Sequence, residues 1–216
     1  MKNIFYIVIS VVFFASCDDD SLVASGRSAT ETRALESFNK LNINAARDIK
    51  VVYSDQTGIT LTGSDNLLSH LRSSVRNEQL DLYYDQDQIN HDDLEITITL
   101  PYFKELRING RRQLTTYGSF DYTDNINITS NGENEMESVD DFAAGNLNIS
   151  LTGAGKADFR RLSGSNAKAS IIGGGTIYLK AEQSLTAQIH GSGQIYYAGH
   201  PQITSDITGT GSIWSL

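Results

Sequence analysis

Through the second half of the chain, apolar or small residues alternate with polar ones in short runs. Leu147, Ile149 and Leu151 are followed by Ala167, Ala169 and Ile171, then Leu185, Ala187 and Ile189, then Ile203, Ser205 and Ile207. A second alternating run trails each of these: Ala157 and Phe159, Ile177 and Leu179, Ile195 and Tyr197, Ile213 and Ser215. Alternation with a period of two places one face of an extended strand in a core and the other in water. The pattern therefore predicts paired strands that recur along the chain.

Between the two runs of every pair lies a glycine doublet. Gly153 and Gly155, Gly173 and Gly175, Gly191 and Gly193, and Gly209 and Gly211 flank one variable residue each, and the first glycines lie 20, 18 and 18 residues apart. Glycine reaches positive φ without a Cβ clash, so each doublet reads as a tight corner. A fixed period near 20 marks a solenoid whose repeats bury their apolar faces against one another. Ile177, Ile195 and Ile213 each stand two residues after the second glycine of their corner, at one phase of the repeat. The expected fold is all-β, a parallel, right-handed β-helix of 18–20 residues per coil. An antiparallel β-sandwich is the alternative that alternation alone leaves open.

The first half is less regular. Leu41 and Ile43 alternate; Ile49 to Tyr53, Ile59 to Thr62, Leu80 to Tyr84 and Leu94 to Leu100 read as strands, the last stopped by Pro101. Leu67, Leu68, Leu71 and Val75 have helical spacing and predict a short helix from Asn66 to about Arg76, capped by Ser64 or Asp65, over an end or flank of the sheet. Gly110 reads as an early, degenerate corner without a second glycine, and Gly118, Gly132 and Gly145 continue the series of turns. Solenoids need capped ends, which accounts for an irregular start.

At the N-terminus, Lys2 precedes an apolar run from Ile4 to Phe14 and then Ala15, Ser16 and Cys17. This reads as an export signal, too short for an ordinary membrane-spanning helix. Cys17, the single cysteine of the chain, resembles the lipidated residue of a bacterial lipobox, although Phe14 stands where leucine is usual. An ordinary signal with an incidental cysteine is the plain alternative. Asp18, Asp19 and Asp20 resemble the surface-export signal of Bacteroidetes lipoproteins, and Asp20-Ser21-Leu22 resembles an O-glycosylation motif of that phylum. The predicted layout is a lipoprotein signal peptide over 1–16, a flexible tether over 17–35 and one solenoid domain over 36–216. Lipid on Cys17 makes the protein anchored to a membrane rather than spanning one.

Composition narrows the chemistry. A net charge of −9 opposes binding to nucleic acid or bare anionic lipid. His70, His91, His190 and His200 show no zinc-ligand spacing, so neither a metal nor a cofactor is expected. His91-Asp92-Asp93 and Asp140-Asp141 read as solvated turns. Ser192 sits between glycines, but Ala154, Gly174 and Thr210 hold its equivalent positions, which marks a repeated turn rather than a nucleophile. Arg107, Arg111, Arg112, Arg160 and Arg161 could neutralise an acidic polysaccharide if gathered on one face.

One surface feature is less ordinary. Tyr178, Tyr196 and Trp214 point outward, 18 residues apart, and should stack as an exposed aromatic ladder. Such a strip suits contact with a protein or a glycan. It also suits a ladder that only steadies the sheet, or one covered by the chain's own first half.

The lipobox-like start, Phe38-x-x-Leu41-x-Ile43, the strand ending at Leu100-Pro101, the serial glycine corners and the stretch from Gly191 to Pro201 together resemble the head GIN domain family, the autotransporter-adhesin-like proteins of Bacteroidetes. The resemblance covers residues 36–216 and departs at Asn109-Gly110-Arg111. It implies a β-helical fold, an adhesive role assigned from fold, and no catalytic residues. The expected function is a non-enzymatic exported lipoprotein, anchored to the outer membrane and exposed at the cell surface, that binds a glycan or surface protein. A carbohydrate-active β-helix enzyme and a self-associating envelope component are the alternatives.

Overall fold

The computed structural model describes residues 21–216; the signal segment, Cys17 and the three aspartates after it lie outside the described residues. In chain order the strands are β1 (Leu22–Val23), β2 (Ser28–Arg33), β3 (Lys40–Ile43), β4 (Asp48–Tyr53) and β5 (Gly58–Ser64). Helix α1 (Asp65–His70) follows, then β6 (Leu71–Arg76), β7 (Gln79–Tyr84), β8 (Ile89–Asn90), β9 (Glu95–Leu100), β10 (Glu105–Gly110) and β11 (Gln113–Tyr117). The last eight are β12 (Thr123–Gly132), β13 (Glu135–Ser138), β14 (Phe142–Gly153), β15 (Lys156–Gly173), β16 (Thr176–Gly191), β17 (Gln194–Ala198), β18 (Gln202–Gly209) and β19 (Ser212–Ser215).

The strands wind into a β-solenoid of about five turns. One face stacks β7, β3, β10, β12, β14, the second part of β15, the second part of β16 and β18, all parallel. The other face stacks β9, β4, β11, β13, the first part of β15, the first part of β16, β17 and β19, again parallel. Alternation supplies one inward column after another. Leu106, Ile128, Ile149, Ala169 and Ala187 lie in register on the first face, and Ile96, Ile49, Leu114, Met136, Ala157, Ile177 and Ile195 on the second, all buried. At a bend between the faces, Phe103, Phe120 and Phe142 pack with centroids 5.1–6.0 Å apart.

The corners fix the register. Gly110, Gly132, Gly153, Gly173, Gly191 and Gly209 form one column, each the strand partner of the next. Every one has positive φ, from 109° to 133°. At Gly173 an added Cβ would sit 2.6 Å from the Gly153 carbonyl oxygen, so the constraint is room as well as dihedral. The second glycines form another column and need room alone: a Cβ on Gly155 would sit 2.6 Å from the Asn134 carbonyl oxygen. Those same carbonyls accept the bonds that tie coil to coil, as from Thr176 N to Gly155 O at 2.9 Å and from Ser192 N to Gly173 O at 3.0 Å. In the corner that begins at Gly132, Asn134 takes the place of the second glycine, fully buried, its amide donating to Ser130 Oγ at 3.0 Å and to Asn131 O at 2.9 Å.

Two expectations need correction. Residues 28–33, assigned above to a flexible tether, form β2, which pairs antiparallel with β5. Their polar alternation gave no apolar signal because β2 is an edge strand that is exposed along most of its length. The helix ends at His70 rather than near Arg76, and 71–76 form β6. Asn77 and Glu78, both at positive φ (51° and 62°), make a two-residue turn that folds β6 back on β7. Ser64 precedes α1 without a side-chain cap; its hydroxyl donates to Asp93 instead, at 2.6 Å. The N-terminal end is thus closed by antiparallel strands and a helix, with Leu67 and Leu68 buried over the core.

Gly173→Ala should lower stability by at least about 2 kcal/mol, because it adds both dihedral strain and overlap with backbone. Gly174→Ala, in the same corner but with only Ser192 Oγ near its added Cβ, at 3.4 Å, should cost much less. Urea midpoints of the two variants check the difference.

Candidate functional site

Register places the aromatic residues where the 18-residue spacing puts them. Asp158, Tyr178, Tyr196 and Trp214 are successive strand partners on the outer side of β15, β16, β17 and β19. The Tyr178 and Tyr196 rings stack with centroids 4.7 Å apart and planes 10° from parallel. Trp214 is in register but does not continue the stack; its indole N–H donates to Ser212 Oγ at 2.8 Å and its side chain is exposed. The Tyr196 hydroxyl donates to Gln194 Oε1 at 2.6 Å.

The other end of the stack is cationic. Lys156 Nζ lies 5.5 Å and the Arg160 guanidinium 5.1 Å from the Tyr178 ring centroid. Arg160 is also clamped to Asp158 by two bonds, from Nε at 2.8 Å and from Nη2 at 2.7 Å. Burial works to raise the Asp158 pKa, but the Arg160 hydrogen bonds and the charges of Arg160 and Lys156 overcome it and hold the carboxyl below its ordinary value. Arg160 is raised in turn by its bond to Asp158.

Arg160 reaches this position through a bulge. Phe159 partners Leu179, but Ser163 partners Lys180, so Arg160, Arg161 and Leu162 have no counterparts in the next coil. That insertion, partly offset by a residue gained at the following turn of β16, accounts for a first spacing of 20 rather than 18. The longer spacing was the signal in the sequence; taken alone it did not show which residue the bulge would re-aim.

The stacking limits the chemistry. One Tyr178 face meets cations and the other meets Tyr196, so Tyr178 offers a partner its hydroxyl edge rather than a ring face. Trp214 is the most exposed aromatic of the strip.

A second feature is a groove of about 710 Å³ beside the early corners, bordered by Ala46, Asp92, Arg112, Glu133 and Lys156. Its half-buried charges are committed to structure. Arg112 donates to the carbonyls of Asn109 and Asn44, both at 2.7 Å, and to that of Ala46. Burial lowers its pKa. Asp92 accepts from Tyr84 at 2.7 Å and from Leu94 N at 3.1 Å; burial raises its pKa, and raises that of Tyr84 as well. Asp93 turns away to Ser64, so the His91-Asp92-Asp93 run does not converge. The five arginines do not gather either: Arg107 pairs with Glu105, Arg111 with Glu133, Arg160 with Asp158 and Arg161 with Asp141. His190 and His200 are exposed. Among the described residues no group of acidic, histidine or cysteine side chains is placed to hold a metal ion, and no helix is long and apolar enough to cross a membrane.

Residues 37–201 match the family model described as "Putative auto-transporter adhesin, head GIN domain". Among solved structures, a "putative adhesin" from Bacteroides fragilis shares 22% identity at a TM-score of 0.68, covering 91% of this chain and 100% of its own. A "putative adhesin" from Parabacteroides merdae shares 16% identity at 0.57, covering 91% and 99%. A "putative lipid binding protein" from Parabacteroides distasonis shares 18% identity at 0.53, again covering 91% and 99%. At these identities the likeness is one of fold. No curated protein matches.

Because the Asp158 pKa is depressed in the fold, the Arg160 clamp should stabilise the protein above the ordinary aspartate value of about 4 and lose that effect as acid protonates the folded carboxyl. Urea midpoints should therefore be higher for the wild type than for Asp158→Asn at neutral pH, with the gap closing in acid. A gap independent of pH would mean that Asp158 acts through packing rather than charge.

Proposed function

The chain belongs to the head GIN domain family, and from that premise we propose that it is an exported, lipid-anchored adhesion module without enzymatic activity. The observation that carries the binding role is the strip running from Arg160 through Tyr178 and Tyr196 to the exposed Trp214. A rigid sheet holds these groups at strand spacing, so little ordering entropy is lost when a partner docks. The hydroxyl edges and the cationic end suit hydrogen bonding along a polar surface, and Trp214 offers one ring face for stacking a sugar or an apolar side chain.

The anchor is proposed on Cys17, behind its short apolar run and small residues. A lipid there places the solenoid at the end of a short leader on the outer membrane, exposed at the cell surface. The enzyme alternative gains nothing from the geometry, since each arginine that could have formed an acidic-sugar site has its own local partner.

Two experiments test this reading. Replacing Tyr178, Tyr196 and Trp214 together by alanine should reduce binding to a glycan array or a panel of surface proteins at least about tenfold, the loss expected of a small set of anchor residues, while circular dichroism is unchanged. Unchanged binding would remove the strip from the function. Cys17→Ala should shift the protein from the membrane fraction to the soluble one and abolish labelling by a fatty-acid analogue; retention of both would leave an ordinary export signal.

A further inference from the structure

The two ends of the solenoid are built differently. At the N-terminal end the edge strands β2 and β6 carry Glu31, Arg33, Arg72 and Arg76. Arg33 reaches across to the carbonyls of Leu68 and Leu71, at 3.2 and 2.9 Å, and α1 lies over the core. Charged edges and a covering helix are the devices that stop strand edges from pairing with other chains.

Among the described residues the C-terminal end has no covering helix and little charge on its edge strands. β18 pairs only with β16, and β19 only with β17, among the described residues. Each leaves one edge of backbone donors and acceptors open. Ile203 and Ile207 continue inward columns that are buried one coil earlier, at Leu185 and Ile189, yet they are 44% and 40% exposed. Across both strands there is a single charged residue, Asp206.

We propose that this end is covered by a second copy of the same chain, in a closed two-fold dimer with β18 antiparallel to β18. The strand complements itself about Ser205. In that register Ile203 faces Ile207 of the other copy on the core side, and Thr204 faces Asp206 on the solvent side, so each carboxylate meets a hydroxyl donor rather than a like charge. The closed N-terminal end presents no matching surface, which disfavours a head-to-tail fibre and leaves the isologous contact. This contact lies at the end of the solenoid and does not depend on the aromatic strip.

The test uses the full chain carrying Cys17→Ala, so that no lipid drives association, in sedimentation experiments from about 1 μM to about 500 μM. A monomer–dimer equilibrium with no larger species is expected. Thr204→Asp, which sets two like-charge pairs across the proposed contact, should weaken dimerisation about tenfold or more, and Thr204→Lys should strengthen it. Both variants should keep the wild-type urea midpoint at monomer concentrations, since Thr204 is exposed. A monomer across the whole range, an open-ended series of assemblies, or a dimer indifferent to Thr204→Asp would overturn the proposal. So would a dimer abolished by Tyr178→Ala, which would place the contact on the strip. Glycan or protein binding by Thr204→Asp, measured in parallel, separates failure of this proposal from failure of the adhesion reading.

Discussion

Six glycines stack at one edge of the solenoid, five of them with the backbone of the preceding glycine closer than any Cβ would allow, and this approach sets the geometry of the rest. Each is held at positive φ, and the carbonyl of one occupies the space a side chain on the next would need. Because the corner carbonyls also accept the amides of the next coil, the same contact turns the chain and binds its turns together. The strands on either side inherit their register from it. A shift of one residue would expel the inward columns from the core, so the corners and the alternation enforce each other.

Exact stacking has a consequence on the outside. Residues in equivalent positions of successive coils are placed side by side whatever their chemistry, so a sequence period becomes a surface column. Asparagines use this as amide ladders: Asn148 donates to Asn127 at 2.8 Å, and Asn131 to Asn109 at 2.7 Å. Tyr178 and Tyr196 use it as a ring stack. The column that steadies the sheet also covers its own ring faces, so an aromatic ladder on a solenoid has less stacking surface than the same residues would have apart. What remains for a partner lies at the margins of the column: the hydroxyl edges, the cations of the bulged coil and the last indole.

How much of this was legible in the sequence depended on whether a residue acts through the period. The Gly-x-Gly corners, the inward alternation and the 18-residue aromatic spacing all repeat, and they located the second half of the fold and its outer column. Asn134 could not be recognised as the substitute for a corner glycine, because its role lies in burying an amide against Ser130 and Asn131 rather than in backbone freedom. Arg160 was visible as a charge but not as a partner of Tyr178, since its aim follows from a bulge. The strand β2 was missed because an exposed edge strand needs no apolar face. The end of α1 was missed because Leu71 and Val75 fit a helical period by spacing while a two-residue turn at Asn77 and Glu78 draws them into a strand.

Parallel stacking also displaces a problem to the ends of the molecule. Inside the stack the strands pair one coil away on both sides, apart from the bulge at Arg160, Arg161 and Leu162, so the repeat itself carries no edge. At the start of the solenoid the chain departs from the repeat, turns antiparallel, inserts a helix and ties Arg33 across the junction. At the far end the repeat runs unaltered into its last coil, with the columns of Leu185 and Ile189 extended by Ile203 and Ile207 into solvent. A capped end needs residues that differ from the repeat, whereas an end that meets another end needs only a strand that complements itself. The near-symmetry of Ile203-Thr204-Ser205-Asp206-Ile207 supplies the second solution within the repeat pattern, with Ser205 in the column of Ala187 as its centre.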